Sequence, residues 1–292
     1  MHILSFDIEE WYIEKRLSGG RAEKYKEFDF YLNKILDILD TYQLKATFFC
    51  LGKIASDFPY VVRTIASRGH EIGCHSNEHI WLTRLSPKKL LADTKTAISA
   101  LEDVCGQKVI SYRAPAFSIG ETNKWAIEIL AECGIELDAS VYPAARDFGG
   151  FSAFPAAIPC IIRYGSIQLK EFPIGLTTFF GKKIAYSGGG YFRFFPLFYT
   201  KHKIQQSEYS VSYFHIGDLM PHKGGMLSQN QYEYYFKEKG TLLNRCKRYI
   251  KSNLGTKYTF SKMTRLLNGN HFTNLRDANR QIDWNVTPII DL

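Results

Sequence analysis

Two histidines four positions apart, His75 and His79, have the spacing of a metal-binding pair. If the segment between them turns helically, both imidazoles face the same side and can bind one cation, although a purely structural role for both rings is the alternative. An acidic cluster near the start of the chain contains Asp7 and Glu9. These carboxylates would repel each other without a cation, and they offer a third ligand. Two histidines and one carboxylate leave positions open for water and substrate, as in hydrolytic zinc sites.

Further polar residues end predicted strands. Because the carboxyl ends of parallel strands converge on one face, side chains there are candidates for chemistry. These candidates are Asp7, Glu9, His75, Arg113, Asp138 and His215. Each has a structural alternative: the aspartates could cap helices, the arginine could form a surface salt bridge, and the last histidine could be a satisfied core residue.

The elements that must position these residues follow from the apolar pattern. Short apolar runs alternate with longer amphipathic ones, which predicts a βαβα chain around a mostly parallel sheet or barrel. The predicted strands cover 3–7, 46–51, 71–75, 109–113, 135–139, 168–172 and 210–215. Ser86 and Pro87 predict a helix start, and Gly106 predicts the end of the same helix. From 149 to 190 the pattern loosens, which we interpret as an elaborated loop region over one end of the barrel.

Five separated motifs end or follow these strands. They are Ser5-Phe6-Asp7-Ile8-Glu9, His75-Ser76-Asn77-Glu78-His79, Arg113-Ala114-Pro115, Leu137-Asp138-Ala139-Ser140 and Tyr213-Phe214-His215. Together they resemble the polysaccharide deacetylase family, also called the NodB-homology domain or carbohydrate esterase family 4. The opening segment and Gly188-Gly189-Gly190-Tyr191-Phe192-Arg193 are similar to the branch found in bacterial exopolysaccharide and surface-glycan loci. The resemblance implies an α/β fold, a distorted (β/α)7 barrel of the NodB type.

The resemblance also implies a role for each site residue. Asp7 would be the general base, paired with Arg113, and His215 would protonate the leaving amine as general acid. Asp138 would orient the ring of His215. A backbone N–H of the turn at Ala116 and Phe117 would stabilise the oxyanion.

A divalent metal ion would complete this site. Zn²⁺ is the expected ion, with Co²⁺, Mn²⁺ and Ni²⁺ as alternatives. The sequence departs from the common family pattern at position 8, where Ile replaces a second aspartate. Strand alternation returns Glu9 to the face of Asp7, so we predict Glu9 as the third metal ligand beside the two histidines, with Glu10 or a water as alternatives. Tyr213 replaces the usual leucine near the acyl group, which leaves the acyl preference open.

We therefore expect a metal-dependent N-deacetylase that hydrolyses the acetamide of an N-acetylated sugar in bacterial surface polysaccharide or glycan biosynthesis. Its substrate could be an N-acylated sugar, a nucleotide sugar or a polyprenyl-linked glycan. Alternatives are a deformylase or non-sugar amidohydrolase on the same scaffold, or a catalytically silent glycan- or membrane-binding protein. We predict a catalytic domain over 1–228 and a basic helical C-terminal extension over 229–292 packed on the same domain.

Charge and cysteine usage limit the partners. The chain has 292 residues and a net charge of +8, and much of the excess lies between 237 and 265. This segment is either a solvated face or a surface for anionic lipid or a pyrophosphate-bearing substrate. No nucleic-acid motif accompanies it, so nucleic acid is not an expected partner. Six isolated cysteines indicate reduced thiols. Lacking a signal peptide or a long apolar run, the protein is expected to be cytoplasmic, with peripheral contact at the inner face of the membrane and the oligomeric state left open.

Overall fold

Strands of the central sheet carry most of the predicted site residues. The structure is a computed structural model that describes residues 1–146, 149–221 and 225–292. Its strands are β1 (His2–Ile8), β2 (Thr47–Cys50), β3 (Glu71–Cys74), β4 (Ser111–Tyr112), β5 (Leu137–Asp138), β6 (Cys160–Tyr164), β7 (Ile167–Glu171), β8 (Leu176–Phe179), β9 (Lys182–Ala185), β10 (Ser210–His215) and β11 (Ile289–Asp291).

Nine of these strands form one sheet in the order β10-β1-β2-β3-β4-β5-β7-β6-β11. The first seven in this order run parallel, β6 runs antiparallel to β7, and β11 is parallel to β6. The seven parallel strands are the seven predicted from the sequence, and they confirm the α/β fold class and the distorted barrel. β6, β11 and the β8–β9 hairpin were not predicted individually, because each is short and none ends in a recognisable motif.

Helices cover the sheet and connect its parallel strands. They are α1 (Glu10–Ser18), α2 (Ala22–Thr41), α3 (Gly52–Asp57), α4 (Pro59–Ser67), α5 (Pro87–Cys105), α6 (Ala126–Glu132), α7 (Gly189–Phe194), α8 (Leu197–Gln206), α9 (Ile216–Leu219), α10 (Gln229–Phe236), α11 (Leu242–Asn253), α12 (Thr259–Leu267) and α13 (Leu275–Gln281). α5 begins at Pro87, and Gly106 ends it with a left-handed φ of 66°, as predicted. Within the described ranges, no helix combines the length and apolarity needed to cross a bilayer.

Strand alternation in β1 separates the core from the site. Leu4, Phe6 and Ile8 pack in the larger apolar cluster beneath the helices, and the ring of Phe6 stacks on that of Phe48 at 4.9 Å between centroids. The intervening side chains point to the barrel interior, where Asp7 is almost fully buried. The carboxylate of Asp7 is therefore held at the end of a buried strand by the packing of its neighbours.

The segment after residue 228 contributes helices and one strand. α10 to α13 account for the predicted helical character, whereas β11 pairs with β6 and extends the sheet. Thr273 also exchanges backbone hydrogen bonds with β1, donating to the His2 carbonyl at 2.9 Å and accepting from Leu4 at 3.0 Å. The predicted helical extension thus also contains a strand at its end. The boundary at 228 stays a prediction.

Candidate active site

A carboxylate and two imidazoles meet at the carboxyl end of the parallel strands. Ligand atoms of Glu9, His75 and His79 all lie within 4.8 Å of one another. One Glu9 oxygen, Oε2, lies 2.6 Å from His79 Nε2 and 3.6 Å from His75 Nε2. This oxygen is buried, and beyond the two histidine nitrogens it has no hydrogen-bond partner among the described residues. Three donor atoms converging on one point, one of them otherwise unsatisfied, fit a small divalent cation.

The segment that carries the two histidines is an irregular loop. Ser76 and His79 adopt left-handed φ values of 69° and 57°, so the helical turn considered for this pair is wrong. Two side chains support the unusual backbone: Ser76 Oγ accepts from the His79 N–H at 3.0 Å, and Asp93 Oδ2 accepts from the Asn77 N–H at 2.8 Å. The loop brings the rings to centroids 5.3 Å apart without a helix.

Hydrogen bonds on the far side of each ring determine which nitrogen faces Glu9. His75 Nδ1 lies 2.7 Å from the Arg113 carbonyl oxygen. A carbonyl can only accept, so Nδ1 carries the proton and Nε2 keeps its lone pair for a cation. His79 Nδ1 lies 3.4 Å from the hydroxyl of Tyr235, which α10 supplies. Tyr235 lies in no sequence motif, so it was not among the predicted site residues.

The two adjacent glutamates differ in what they contact. Glu9 joins the histidines, whereas Glu10 Oε1 accepts from the Gly217 N–H at 2.6 Å. Burial raises the pKa of Glu10 to about 7, and the negative charge of Glu9 adds to this effect. Burial also acts to raise the pKa of Glu9, but the charges of His79 and His215 hold it well below its usual value. The geometry therefore favours Glu9 over Glu10 as the third ligand.

Asp7 is held by a buried arginine, as predicted. Arg113 Nη1 donates to Asp7 Oδ1 and to Ser5 Oγ, both at 2.8 Å. Its Nε donates to the Ala139 carbonyl at 3.2 Å, and its guanidinium carbon lies 4.2 Å from the centre of the Phe49 ring. A side chain fixed at three points can orient the carboxylate of Asp7 and compensate its buried charge.

His215 lies on the other side of the same carboxylates. Its Nε2 is 3.6 Å from Glu9 Oε1 and 3.9 Å from Asp7 Oδ2. Its Nδ1 lies 3.1 Å from Asp218 Oδ2, which also accepts from the His215 backbone N–H. Burial acts to lower the pKa of His215, but the surrounding carboxylates, Glu9 foremost, outweigh it and raise the pKa to about 10. A cation bound at Glu9 would reduce this rise.

Asp218 therefore makes the contact with the His215 ring that was predicted for Asp138. The prediction that Asp138 orients His215 is wrong. His215 is the N-cap of α9, and Asp218 is its third helical residue, so the reciprocal bonds of a capping box bring the two side chains together. Arg193 Nη1 lies 3.4 Å from the other carboxylate oxygen of Asp218. The spacing of three residues after a motif histidine was the available signal for Asp218. Arg193 belongs to the glycine-rich motif, to which no such role had been given.

Asp138 instead belongs to a buried carboxyl pair. Its Oδ1 accepts from Ser140 Oγ at 2.5 Å, and it hydrogen-bonds Glu171 at the end of β7. Burial raises the pKa of Asp138 to about 6, while the hydrogen bonds from Glu171 and Ser140 oppose the rise. Burial and the neighbouring Asp138 raise the pKa of Glu171 well above its usual value. This pair holds a proton and braces the barrel interior beside Arg113.

The predicted oxyanion turn has a strained backbone. Ala116 and Phe117 adopt positive φ values of 56° and 54°, which cost energy for residues other than glycine. The Phe117 N–H already donates to the Ala114 carbonyl at 3.0 Å. Within the described chain no hydrogen bond uses the Ala116 N–H, so the turn offers this group, rather than that of Phe117, to a ligand.

Tyr213 packs over this turn. Its ring meets the Phe117 ring edge-on, with 4.9 Å between centroids. Gly188 passes so close that an added Cβ would overlap the Tyr213 ring and lie 2.9 Å from the Tyr213 carbonyl oxygen. The first glycine of the Gly-Gly-Gly motif is therefore required by a close approach of its backbone to Tyr213.

One cavity opens at the cluster and a second opens at the predicted oxyanion turn. The larger has a volume of about 530 Å³ and is lined by Glu9 and His215 together with residues of α1, α10 and α11. The smaller, of about 400 Å³, is lined by Ala116, Tyr142, Arg146 and Tyr213 and by residues around α7 and the end of α11. Aromatic and polar side chains line both, which suits a sugar.

Two family models match long segments of the chain. Residues 25–137 match the family model described as polysaccharide deacetylase. Residues 139–280 match a domain of unknown function, DUF3473. Together the two matches extend from residue 25 to residue 280 and flank Asp138, while Asp7 and Glu9 lie before the first of them.

Curated relatives carry deacetylase names. A chitooligosaccharide deacetylase of Bradyrhizobium sp. (strain ANU 289) is 26% identical over 160 residues, which is 52% of this chain and 71% of that protein. A peptidoglycan-N-acetylglucosamine deacetylase of Bacillus cereus is 36% identical over 96 residues, which is 32% of this chain and 35% of that protein. The chain thus spans about a third of the second relative.

Solved structures support the fold. A Mycobacterium smegmatis protein described as a polysaccharide deacetylase superposes with a TM-score of 0.63 at 17% identity, over 100% of this chain and 92% of that one. A 4-alpha-glucanotransferase of Thermococcus litoralis superposes with a TM-score of 0.59 at 13% identity, over 100% of this chain and 41% of that one. Since proteins of different names share this fold, the motifs and family models carry the assignment. Residues 25–137 of this chain match the polysaccharide deacetylase family model, and curated relatives that it resembles are named as deacetylases, hydrolases that act on amide bonds.

Proposed function

We propose that this protein is a metal-dependent N-deacetylase that removes the acetyl group from an N-acetylated sugar of a bacterial surface glycan. One observation carries the proposal: a carboxylate and a histidine, Asp7 and His215, lie 3.9 Å apart beside the cluster of Glu9, His75 and His79. Amide hydrolysis needs both a base for the attacking water and an acid for the leaving amine. A binding protein needs neither.

Glu9, His75 and His79 would hold the metal ion. Two imidazoles and one carboxylate suit Zn²⁺, which we propose as the resident ion, with Co²⁺, Mn²⁺ and Ni²⁺ as substitutes. When bound, such an ion supplies Lewis-acid polarisation of the amide carbonyl and lowers the pKa of a water in its open position.

The remaining steps use the chain's own residues. Asp7, oriented by Arg113, accepts the proton of the attacking water. His215, which the surrounding carboxylates keep protonated, donates from Nε2 to the leaving amine nitrogen, while Asp218 holds its Nδ1. The free Ala116 N–H is available to the carbonyl oxygen as negative charge develops there. The acid and the base are adjacent, with 3.9 Å between Asp7 Oδ2 and His215 Nε2.

Acetate release from defined N-acetylated substrates tests the proposal. The purified protein, supplied with Zn²⁺, is incubated with N-acetylglucosamine oligosaccharides, a UDP-linked N-acetyl sugar and a polyprenyl-linked one, with acetate and formate measured separately. We expect acetate from at least one of them and no turnover after chelation, with recovery on adding metal. Formate without acetate would indicate the deformylase alternative, and activity that survives complete metal removal would contradict the metal role.

A matched variant tests the base. Asp7→Asn keeps the size of the side chain and its contact with Arg113 but cannot take a proton. It should lower kcat by about 10²–10⁴-fold without loss of metal. Normal turnover by this variant would show that Asp7 is not the base.

A further inference from the structure

α11 is an amphipathic helix whose apolar side faces solvent. It contains no buried residue. Its large apolar side chains are exposed, with Leu242 at 64%, Leu243 at 62% and Ile250 at 60% of their full accessible surface, and Leu254, directly after the helix, at 55%. At 3.6 residues per turn, positions 242, 243, 246, 249 and 250 share one side of the helix. That side faces solvent, which is the reverse of a helix that packs on a core.

The polar side of α11 faces the protein instead. Arg245 Nε donates to the Leu227 carbonyl at 2.8 Å, and the Arg248 guanidinium lies 4.5 Å from the centre of the Phe236 ring. Both arginines line the larger cavity. The orientation is therefore fixed by specific contacts, and the apolar side cannot turn inward without breaking them.

Arg193 ties the end of this helix to the active site. Its Nη1 and Nη2 donate to the carbonyls of Ser252 and Lys251 at 2.7 and 3.1 Å, while Nη1 also lies 3.4 Å from Asp218. Arg193 therefore links the end of α11 to Asp218, which in turn contacts the ring of His215.

Charge around the exposed apolar side is of one sign. From 239 to 276 the sequence contains no Asp or Glu and nine Lys or Arg residues, at positions 239, 245, 247, 248, 251, 257, 262, 265 and 276. Of these, Lys247 lies in α11 itself and is exposed, as is Lys257 shortly after the helix. A surface with both exposed aliphatic side chains and an excess of basic residues matches a bilayer interface, which offers acyl chains below anionic headgroups.

The apolar surface also reaches the rim of the smaller cavity. Leu254 and the exposed Phe194 line this cavity together with Ala116 and Tyr213. A bilayer in contact with α11 would therefore adjoin a cavity that leads toward the predicted oxyanion turn. We propose that the outward side of α11, with Leu242, Leu243 and Ile250 as its centre, docks on a membrane surface rich in anionic lipid.

Vesicle binding tests this docking surface. The full chain is sedimented with vesicles of phosphatidylcholine alone or mixed with phosphatidylglycerol. We expect binding to the mixed vesicles, weaker binding to the neutral ones, and a decrease as added salt screens the lysines. Leu243→Glu combined with Ile250→Glu should lower partitioning by about 100-fold or more, because two aliphatic side chains would no longer be buried in the bilayer. Lys247→Glu should weaken binding only to the anionic vesicles.

A matched control uses an exposed apolar residue elsewhere. Val286 is 79% exposed and lies outside α11, so Val286→Glu should bind vesicles like the wild type. Circular dichroism checks that each variant is folded. Absence of wild-type binding to anionic vesicles would overturn the proposal, as would equal loss in the control. If instead the wild type is a dimer that the double variant converts to a monomer, and neither binds vesicles, α11 is an interface with a second copy and the lipid proposal is wrong.

This proposal goes beyond the proposed deacetylation and fails separately from it. Leu243 and Ile250 line neither cavity. The double variant should therefore release acetate from a soluble oligosaccharide at the wild-type rate even when it no longer binds vesicles.

Discussion

Replacing Asp218 by Asn should impair the acid step of the reaction. The carboxylate oxygen Oδ2 accepts from both the ring and the backbone N–H of His215 at 3.1 Å. An asparagine of the same shape loses the negative charge and can present its NH₂ group to Nδ1. The ring would then be less protonated and less well oriented. Groups that orient a functional imidazole are worth about 10–100-fold in activity, and loss of a whole general acid costs about 10²–10⁴-fold. We expect kcat to fall by about 10²-fold with little change in KM, because Asp218 is buried behind the histidine.

Asp138→Asn is the matched comparison. Asp138 carries the orienting role in the sequence-based prediction, but in the structure it contacts Ser140 and Glu171. Since the raised pKa of the pair means that it already holds a proton, an amide should be accommodated. We expect kcat to fall by no more than about tenfold, which is the lower end for a group that acts indirectly.

Steady-state acetate release, with metal content measured on each variant, shows whether Asp218 or Asp138 orients His215. Combining Asp218→Asn with His215→Ala should cost no more than His215→Ala alone, because the two residues act as one unit. The reasoning is refuted if Asp138→Asn is the more damaging change while metal content is preserved. It is also refuted if the effects of Asp218→Asn and His215→Ala add.

Three further changes probe other parts of the site. His75→Ala should remove bound metal and activity together, and elemental analysis showing metal retained would contradict its role as a ligand. Gly188→Ala would place its Cβ in the Tyr213 ring and 2.9 Å from the Tyr213 carbonyl, so activity and melting temperature should both fall. Gly190→Ala should have a smaller effect, because its Cβ would lie 3.1 Å from a single atom, Arg193 Nη2. Glu171→Gln should alter the pH dependence of stability. Because the pKa of Glu171 is raised on folding, the wild type takes up a proton when it folds and loses stability as pH rises above the unfolded value. The free energy of unfolding is measured by urea denaturation for both proteins. The value for the variant, relative to that of the wild type, should rise by up to about 1.4 kcal/mol for each pH unit above about pH 4.5. Parallel curves would show that Glu171 does not hold this proton.

Local sequence signals predicted the parts of the site that lie at strand ends. Asp7, His75, Arg113 and His215 each end or directly follow a strand of the parallel sheet, and the apolar period that identifies a strand also identifies its carboxyl end. Glu9 followed from strand alternation. These residues could be found because their positions depend only on short-range periodicity and on the convergence of parallel strands.

The missed residues depend on contacts between distant segments. Tyr235 reaches His79 across 156 positions of sequence, and Glu171 reaches Asp138 from a strand two elements later. Neither lies in a motif, and periodicity does not indicate which side chains will meet. The loop from 75 to 79 was misjudged for a related reason: its left-handed Ser76 is held by bonds to Gly52 and to its own neighbour His79, which no propensity predicts.

Sheet register explains why acid and base meet although they lie 208 positions apart in sequence. In the parallel pairing of β1 with β10, Asp7 lies directly opposite His215, and adjacent strands are about 4.8 Å apart. The distance between the two side chains is therefore a property of the sheet, and a register slip of one residue would turn one of them away. Sheet register does not fix the metal cluster in the same way, because the positions of the His75 and His79 rings depend on a strained loop. Changes in that loop should thus remove the metal while leaving the pair of Asp7 and His215 in place. The expected result of such a change is a folded apoprotein that lacks activity.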